Sequence, residues 1–367
     1  MSVLVTGAYG FIGKNLIVRL KELDIQVATY TRENSTQDLE GLIKNANCVV
    51  HLAGENRPKD EKDFGVVNTG LTSSICDAVR SSGINTPIIL ASSTQAELEN
   101  AYGKSKLDAE VAVKVLETDT GCPVHVYRLP SVFGKWCKPH YNSVVATFCH
   151  NISHNLPIQV NNPDFELSLI YIDDVVEEFV NIIQGVKGDK KELSVQPEYK
   201  IKLGDLADQI KIFRESRDSL ITERVGSGFV SKLYSTYLSY ISPKQFAYSI
   251  PSYCDERGMF AEMLKTKDSG QFSFFTAGPG VTRGSHYHHS KTEKFLVVQG
   301  VAKFGFRHVV TDETHEIITT SKELKIVETV PGWSHDITNI GTEKMIVMLW
   351  ANEIFDPDNS DTIAHKV

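Results

Sequence analysis

The segment SVLVTGAYGFIG at Ser2–Gly13 joins a short apolar run to a turn that contains three glycines. Gly7, Gly10 and Gly13 have the spacing G-x-x-G-x-x-G, and a helical pattern over Gly13–Leu23 follows them. A strand, a glycine turn and a helix in this order let the backbone approach a pyrophosphate, which the helix N-terminus favours. A glycine triplet alone also fits an ordinary tight turn, but this context meets the requirement of the dinucleotide fingerprint. The segment therefore predicts a dinucleotide-binding βαβ unit.

The alternation of strand and helix continues along the N-terminal part of the chain. Short β-branched runs predict buried strands at Ser2–Thr6, Gln26–Tyr30, Cys48–Ala53, Ile88–Ser92 and Val124–Arg128. Apolar residues three to four apart predict helices at Gly13–Leu23, Asn68–Ser82, Tyr102–Thr118, Tyr171–Gln184 and Leu203–Glu215. This order predicts an α/β fold with a Rossmann-like, doubly wound parallel sheet.

From about Phe246 the helical pattern gives way to short alternating runs separated by Gly, Pro, Asp and Asn. Strands are predicted at Gln271–Ala277, Glu293–Gln299, Ala302–His308, Leu324–Val330 and Glu343–Ala351. This pattern is typical of an all-β sandwich or barrel. We therefore expect two domains, 1–245 and 246–367, as the length of 367 residues also suggests.

Composition and charge narrow the class of protein. The chain is 41% hydrophobic and has a net charge of −8 without any Lys/Arg run, which argues against a nucleic-acid partner. No apolar run reaches the ~18 residues that span a bilayer, so no membrane partner is expected. The N-terminus lacks a charged n-region, and the six cysteines are scattered. We expect reduced thiols in a cytoplasmic protein.

Tyr102 and Lys106 are four residues apart in a predicted helix and therefore share a face. A neighbouring ammonium stabilises a phenolate, which suits acid–base chemistry, although Y-x-x-x-K also fits two solvated residues. The hydroxyl residues Ser92, Ser93 and Thr94 stand at the end of the strand Ile88–Ser92, and one of these hydroxyls is a candidate to bind a substrate oxygen. Arg32 follows the second strand, where an NAD-binding chain usually has Asp or Glu. Arg suits a 2′-phosphate and predicts NADPH; the alternative is a solvated surface Arg.

These features resemble the extended short-chain dehydrogenase/reductase family of nucleotide-sugar epimerases, dehydratases and reductases, over residues of about 1–240. The matching motifs are TGAYGFIG at Thr6–Gly13, HLAG at His51–Gly54, VN at Val67-Asn68, SST at Ser92–Thr94, YGKSKLDAE at Tyr102–Glu110, YRLPSVFG at Tyr127–Gly134 and YIDDVV at Tyr171–Val176.

The resemblance implies that Tyr102 is the catalytic acid/base and Lys106 its partner, with Thr94 as the better match for the catalytic hydroxyl and Ser93 as the second choice. Only seven residues separate Thr94 from Tyr102, fewer than the family usually has, so the choice of hydroxyl stays open. The cofactor-binding residues that it implies are Gly7, Tyr9, Gly10, Phe11, Ile12, Gly13, Arg32, Leu52, Ala53, Gly54, Asn68, Tyr102 and Lys106.

The C-terminal part contains a group of possible metal ligands, His286, His288, Glu293 and His335. Residues two apart on a strand share a face, which places His286 and His288 at one point and turns His289 away. Three imidazoles and a carboxylate suit Zn²⁺ or, less selectively, Ni²⁺, Mn²⁺ or Fe²⁺. Scattered surface histidines would be the alternative interpretation of this group.

The spacing of these ligands resembles the cupin signature, and 255–262 with 283–286 resembles the dTDP-4-dehydrorhamnose 3,5-epimerase branch of cupins. Those epimerases generally lack a metal and use a histidine near the position of His286 as the base. Here that histidine lies within the ligand pattern, so the identity of the base stays open. Whether the metal is catalytic or structural stays open as well.

End to end, the chain resembles bifunctional capsular polysaccharide enzymes that join such a reductase to a cupin. The resemblance implies C3 epimerisation of a UDP-2-acetamido-2,6-dideoxy-4-keto-hexose, then C4 reduction with NADPH. The product would be UDP-2-acetamido-2,6-dideoxy-L-talose, on the route to UDP-N-acetyl-L-fucosamine. A UDP-linked 4-keto-6-deoxy-HexNAc substrate, one Zn²⁺ per chain and a homodimer are implied with it.

Three other functions fit parts of the sequence. The first is a 4-keto nucleotide-sugar reductase whose cupin only mediates dimerisation and holds a structural metal. The second is a non-catalytic NADPH sensor, against which the set of Tyr102, Lys106 and Thr94 argues. The third is a 4-epimerase or dehydratase that recycles bound NAD, against which Arg32 argues.

Overall fold

The computed structural model describes residues 1–56, 60, 64–186, 193–250, 253–255, 258–260, 264–266, 271–353, 358 and 360–367. The chain divides into two compact units. Unit 1 comprises Met1–Val132 and Ser168–Lys200, and unit 2 comprises Phe133–Leu167 and Ile201–Val367. Unit 2 thus includes two segments that precede residue 246, whereas the proposed domain boundary at 245/246 stays a prediction. None of the described helices is both long and apolar enough to cross a membrane.

Unit 1 is built on a five-stranded parallel sheet in the order β2-β1-β3-β4-β5. Its strands are β1 Ser2–Thr6, β2 Gln26–Tyr30, β3 Cys48–His51, β4 Ile88–Ser93 and β5 Val124–Leu129. Its helices are α1 Phe11–Glu22, α2 Thr36–Lys44, α3 Leu71–Ser82, α4 Ala101–Thr120 and α6 Ile172–Ile183. The doubly wound parallel sheet predicted from the sequence is confirmed, and all five predicted strands are present.

The core of unit 1 lies between this sheet and the helices α2, α3 and α4. Buried side chains from each element meet there: Leu39 and Ile43 of α2, Ile75 and Val79 of α3, Val113 and Leu116 of α4, and Val49, Ile88 and Leu90 of the strands. The central strands are almost continuously apolar because helices cover a parallel sheet on both faces. This rigid sheet ends at Thr6, His51 and Ser93, where the candidate site begins.

In unit 2 the helices are α5 Val144–Ser153, α7 Leu203–Ser219 and α8 Gly228–Leu238. Its short strands β9 Ile221–Thr222, β11 Tyr253–Asp255, β12 Gly258–Phe260 and β13 Lys265–Thr266 form two pairs. A separate three-stranded sheet consists of β6 Ser131–Phe133, β7 Glu166–Tyr171 and β8 Glu198–Lys202, most of whose residues belong to unit 1.

Two five-stranded antiparallel sheets form most of the C-terminal part. One has the order β10-β19-β16-β21-β14, with β10 Ala247–Ser249, β14 Gln271–Ala277, β16 Glu293–Gln299, β19 Lys325–Glu328 and β21 Met345–Ala351. The other has the order β18-β17-β20-β15-β22, with β15 Thr282–Tyr287, β17 Val301–His308, β18 Thr314–Thr320, β20 Trp333–Asn339 and β22 Ile363–Ala364.

The predicted all-β character of this part is confirmed. Among the described residues these strands form two five-stranded sheets and short pairs, with no closed barrel, so the cupin barrel stays a prediction. Residues 256, 257, 261 and 262 of the epimerase-like motif lie outside the described residues. Five cysteines, Cys48, Cys76, Cys122, Cys137 and Cys149, are free thiols, in agreement with the interpretation of the sequence.

Candidate functional site

The turn between β1 and α1 has room only for glycine at two of its three glycine positions. Gly7 has a φ of +67°, and a Cβ there would lie 2.7 Å from the backbone nitrogen of Ala53. A Cβ at Gly13 would lie 2.3 Å from the carbonyl oxygen of Gly7. Gly10 caps α1 and donates its N–H to the carbonyl oxygen of Gly7 at 2.9 Å. The turn is therefore packed against the backbone of Leu52 and Ala53. On its other side the N-terminus of α1 is exposed, which is where a pyrophosphate would bind.

A chain of hydrogen bonds fixes this turn to the end of β3. The backbone N–H groups of Leu52 and Ala53 donate to Oγ1 of Thr6 at 3.2 and 3.1 Å. Because that oxygen accepts twice, its own proton points to Nδ1 of His51, 2.7 Å away. The Nε2–H of His51 then donates to Oγ1 of Thr72 at 2.9 Å. Burial and the nearby Lys106 lower the pKa of His51 to about 3. His51 is therefore neutral and connects Thr6, at the end of β1, to Thr72, in the first turn of α3.

Asn68 connects the loop after β3 to the helix that carries the candidate catalytic residues. Its Oδ1 accepts the N–H of Glu55 at 2.7 Å, and its Nδ2 donates to the carbonyl oxygen of Glu55 and to Oγ of Ser105, at 3.1 and 2.9 Å. A Cβ at Gly54 would lie 3.0 Å from Oδ1 of Asn68 and 3.2 Å from Nζ of Lys106. Asn68, Gly54 and Lys106 are thus brought together, although only Asn68 is fully buried.

Tyr102 lies in the first turn of α4, and its hydroxyl interacts with the side chain of Ser93 at the end of β4. Its ring packs beside Phe64, with 5.6 Å between the ring centroids. Burial raises the pKa of Tyr102, and the interaction with Ser93 partly offsets this rise. The phenol is therefore protonated at neutral pH and is available as a proton donor.

Lys106 follows one turn later on the same helix face. Its Nζ donates to the carbonyl oxygen of Ala91 at 3.2 Å and lies 5.9 Å from the centroid of the Tyr102 ring. Burial lowers the pKa of Lys106 to about 8, although the carboxylate of Glu110 acts in the opposite direction. The Lys106 side chain is therefore mostly protonated at neutral pH and loses its proton at a pH of about 8.

The second candidate site lies in unit 2 and combines residues from both antiparallel sheets. His286 is in β15, His335 is in β20, Glu293 begins β16, and His288 follows β15. One ligand atom from each of the four lies within 4.8 Å of the others. Oε2 of Glu293 is 3.2 Å from Nε2 of His288 and 3.4 Å from Nε2 of His335. The structure therefore brings together the four residues that the sequence singles out.

A β-bulge aligns two of these histidines. Gly284 pairs with Asp336, and His286, not Ser285, pairs with His335. Ser285 is the extra residue and has a φ of +63°. A slip of one residue moves a side chain to the opposite face of a sheet, so the bulge is what turns His286 towards His335. The two ring centroids are 4.7 Å apart.

The donor set fits a metal ion. Among the described residues, neither ring nitrogen of His335 makes a bond of good hydrogen-bond geometry, although the residue is only 2% exposed; Oε2 of Glu293 lies 3.4 Å from Nε2. A buried imidazole without good hydrogen bonds is costly, and a cation between the four ligand atoms would satisfy it. Burial, followed by the neighbouring His335 and His288, lowers the pKa of His286 to about 4. His286 is therefore neutral and offers a lone pair at neutral pH.

Comparisons with known proteins match two different family models to the N-terminal and C-terminal parts of the chain. A model of the NAD dependent epimerase/dehydratase family matches residues 3–195, and a model of the polysaccharide biosynthesis C-terminal domain matches residues 253–363. The UDP-2-acetamido-2,6-beta-L-arabino-hexul-4-ose reductase of Pseudomonas aeruginosa is 55% identical over 100% of this chain and 99% of its own length. This chain belongs to the NAD dependent epimerase/dehydratase family.

Within that family the chain is CapF-like over its whole length, which confirms the resemblance predicted from the sequence. The crystal structure of the capsular polysaccharide assembling protein CapF from Staphylococcus aureus matches 100% of both chains at 40% identity, with a TM-score of 0.69. A UDP-glucose 4-epimerase from Thermotoga maritima matches 58% of this chain and 82% of its own at 19% identity, with a TM-score of 0.52. At that identity the second match shows the fold alone.

The family's catalytic hydroxyl has two candidates here, and the structure places them differently. Ser93 is the last residue of β4 and contacts Tyr102. Thr94, the better match by sequence, begins the following 3-10 turn and is exposed. Arg32 is also exposed; its guanidinium lies 3.6 Å from the carboxylate of Glu55.

The remaining predicted cofactor residues surround the glycine turn. Tyr9 is 76% exposed, Phe11 and Ile12 begin α1 half-buried, and Leu52 and Ala53 contribute the backbone N–H groups that hold Thr6.

An ion pair between the buried Glu110 and the exposed Arg128 was not among the predicted site residues. Glu110 is 1% exposed, accepts a hydrogen bond from Oγ of Ser92 at 2.5 Å and binds Arg128 through two guanidinium nitrogens, the shorter contact being 2.7 Å. The pair joins α4 to the ends of β4 and β5, so it holds the helix of Tyr102 in place. The sequence signal for this pair was the acidic Glu110 at the end of the YGKSKLDAE motif and the basic Arg128 near the start of the YRLPSVFG motif.

Proposed function

We propose that this chain reduces C4 of a UDP-linked 4-keto-6-deoxy-HexNAc with NADPH, and that its second site first inverts C3 of the same sugar. The observation that carries the reductase assignment is the grouping of Tyr102, Ser93 and Lys106. Tyr102 interacts with Ser93, and Nζ of Lys106 lies 5.9 Å from the centroid of the Tyr102 ring. The 55% identical reductase supports the substrate class. The product would be UDP-2-acetamido-2,6-dideoxy-L-talose for capsular polysaccharide.

In the reductase site, each residue acts on the oxygen at C4. Tyr102 donates its proton to that oxygen, since its pKa is raised and the phenol is protonated. Ser93 binds the same oxygen and orients it towards Tyr102. Lys106 places a positive charge near the phenolate that remains and holds the nicotinamide ribose. Bound NADPH supplies the hydride.

NADPH is favoured over NADH because of the residue that follows β2. The side chain of Arg32 is 89% exposed, and the carboxylate of Glu55 lies no closer than 3.6 Å, so the guanidinium is accessible to a 2′-phosphate. No carboxylate stands at position 32, where it would bind the ribose hydroxyls of NADH. The glycine turn, whose positions 7 and 13 exclude a Cβ, would hold the pyrophosphate.

For the second site we propose a cupin-like zinc centre formed by His286, His288, Glu293 and His335. Its support is the convergence of the four ligand atoms and the unsatisfied ring of His335. A bound zinc ion supplies Lewis acidity that polarises a sugar carbonyl. The four residues hold the ion, and the neutral His286 presents its lone pair to it.

The chemistry fixes the order of the two steps. The proton at C3 is acidic only while C4 is a ketone, because the electron pair left behind moves onto the C4 oxygen as an enolate. A base in the second site removes that proton, and a proton added to the opposite face of C3 inverts it. Once C4 has been reduced, this exchange is impossible. The base itself stays unassigned.

The experiment that tests this proposal is incubation of the UDP-linked 4-keto sugar in D₂O, with NMR detection of deuterium at C3. Tyr102→Phe should exchange C3 at the normal rate but leave NADPH unoxidised. His335→Ala should stop the exchange, whereas His315→Ala, a histidine of β18 outside the cluster, should not.

Two outcomes would contradict the proposal in different ways. If folded His335→Ala exchanges C3 normally, the metal does not take part in epimerisation. If Tyr102→Phe shows no exchange, the chain is a reductase whose C-terminal part only mediates dimerisation. The name of the Pseudomonas relative, which refers to reduction alone, favours this second candidate. A homodimer, the domains 1–245 and 246–367, and a cytoplasmic location belong to the same proposal.

A further inference from the structure

The C-terminal end of the chain adds a strand beside the proposed metal centre. In β22, Ala364 pairs with His286 and Ile363 pairs with Tyr287 of β15. Asp361 lies two residues before this strand. It contacts the turn between His288 and Glu293, two ligands that lie on either side of the connection from β15 to β16.

The carboxylate of Asp361 accepts four hydrogen bonds from this turn. The backbone N–H of His289 donates to Oδ1 at 2.8 Å, and those of Ser290 and Lys291 each donate to Oδ2 at 2.7 Å. Oγ of Ser290 donates to Oδ2 at 2.9 Å. Three consecutive N–H groups on one carboxylate fix the path of the backbone from one ligand to the next. Charge-assisted bonds of this kind are stronger than neutral ones.

The backbone of Asp361 acts on a ligand directly. Its carbonyl oxygen is hydrogen-bonded to Nδ1 of His288. A carbonyl can only accept, so Nδ1 carries the proton and Nε2 carries the lone pair. Nε2 is the atom that faces Glu293, 3.2 Å from Oε2. The carbonyl thus selects the tautomer that binds a metal through Nε2 and holds the plane of the ring.

We infer that Asp361 is a positioning residue of the metal centre, acting through the turn 289–291 and through the ring of His288. This inference rests on the proposed function, since it requires that the four ligands bind a metal. Lys291 extends the same arrangement, because its Nζ lies 3.1 Å from Oε1 of Glu293 and orients that carboxylate. Outer partners of this kind change metal affinity by about 10–100-fold when they are removed.

The test uses the full chain, stripped of metal and titrated with Zn²⁺ against a chromophoric chelator. Asp361→Asn keeps the size of the side chain but replaces one acceptor oxygen with an amide that cannot accept. We expect zinc affinity to fall about 10–100-fold. Asp358→Asn makes the same change of charge at an exposed position of the same segment and should bind zinc as the wild type does.

A spectroscopic measurement separates positioning from general stability. Saturation with Co²⁺ gives ligand-field bands that report the arrangement of the four ligands. In Asp361→Asn these bands should shift at full occupancy relative to those of Asp358→Asn, a change in ligand arrangement that a loss of stability alone would not produce. Unchanged zinc affinity and unchanged cobalt bands in folded Asp361→Asn would overturn the inference.

If Asp361→Asn does not fold, Ser290→Ala decides the matter. It removes one of the four bonds to the carboxylate and keeps the backbone bonds, so a loss of affinity of several-fold is expected, and wild-type affinity would overturn the inference. Failure of the proposed function gives a different result. In that case the wild-type protein itself would bind neither Zn²⁺ nor Co²⁺ at this site.

Discussion

Gly7→Ala tests whether close backbone approach, and not merely a tight turn, explains the glycine motif. The substitution brings a methyl group to 2.7 Å from the backbone nitrogen of Ala53 and places an L-residue at a φ of +67°. Two other glycines separate these effects. Gly83 has a φ of +68°, and a methyl group added there would meet nothing within 4 Å; Gly41, in α2, has an equally open position and no positive φ.

The expected changes in stability follow from that geometry. Gly83→Ala should cost about 1–2 kcal/mol for the left-handed backbone alone. Gly7→Ala should cost the same plus about 1–3 kcal/mol for the added contact, about 2–5 kcal/mol in total. Gly41→Ala should stabilise unit 1 by about 0.5–1 kcal/mol, because alanine is the better helix residue. One kcal/mol corresponds to about 2–4 °C in melting temperature for a unit of this size.

The assay is thermal unfolding, following the transition that NADPH shifts, together with NADPH titration by fluorescence. Gly7→Ala should melt lowest of the three variants and bind NADPH at least about tenfold more weakly, since the backbone can no longer lie against Ala53. Gly83→Ala and Gly41→Ala should bind NADPH as the wild type does. If Gly7→Ala matches Gly83→Ala in both measurements, the contact with Ala53 is not what requires glycine.

Tyr102→Phe should slow reduction by about 10²–10⁴-fold while NADPH binding is retained; slow turnover with weak binding would instead indicate a damaged pocket. Ser93→Ala should lower kcat and Thr94→Ala should not, because the side chain of Ser93 interacts with the hydroxyl of Tyr102, whereas Thr94 is exposed in the following turn. The kcat/KM for reduction should fall as pH rises through about 8, where Lys106 loses its proton, and Lys106→Arg should move this fall to higher pH. Zinc at 100 times its Kd should stabilise the wild type by about 2.7 kcal/mol, whereas Glu293→Gln should show a much smaller gain in a melting experiment.

The parallel sheet was predictable because its strands are short, apolar and bounded by breakers, and each was placed to within about two residues. The helix α2 was missed, although Ser35 and Asp38 form a capping box at its start. The strands β15 and β20 were missed for another reason. In β20, Ser334, His335 and Asn339 are polar residues at buried positions, and in β15 the first three residues are all exposed. Neither strand therefore shows the apolar/polar alternation of a strand with one solvent-exposed face.

The residues of the candidate sites also differ in how well the sequence predicts them. Residues within one motif, such as Tyr102 and Lys106, were predictable from helical spacing. The choice between Ser93 and Thr94 was not, because it depends on where β4 ends: successive strand residues point to opposite faces, and the chain turns at Thr94. The bulge at Ser285 and the contact of Asp361 with the ligand turn depend on tertiary pairing. Neither leaves a local pattern in the sequence.

The two sites differ in what a ligand must contribute to them. Next to the glycine turn, the buried polar side chains of Thr6, His51 and Asn68 already have hydrogen-bond partners within the protein. These side chains therefore need no hydrogen bond from a cofactor. In the second site, the ring of His335 makes no bond of good hydrogen-bond geometry among the described residues, and Glu293 faces two imidazoles at 3.2 and 3.4 Å. A cation there replaces missing partners inside the fold. Removal of metal should therefore loosen the strands that carry the ligands, and hydrogen exchange in β16 and β20 should rise on chelation by more than the lost binding free energy accounts for. Removal of NADPH should raise exchange in β1 and β3 only by the amount that its shift of the unfolding transition accounts for.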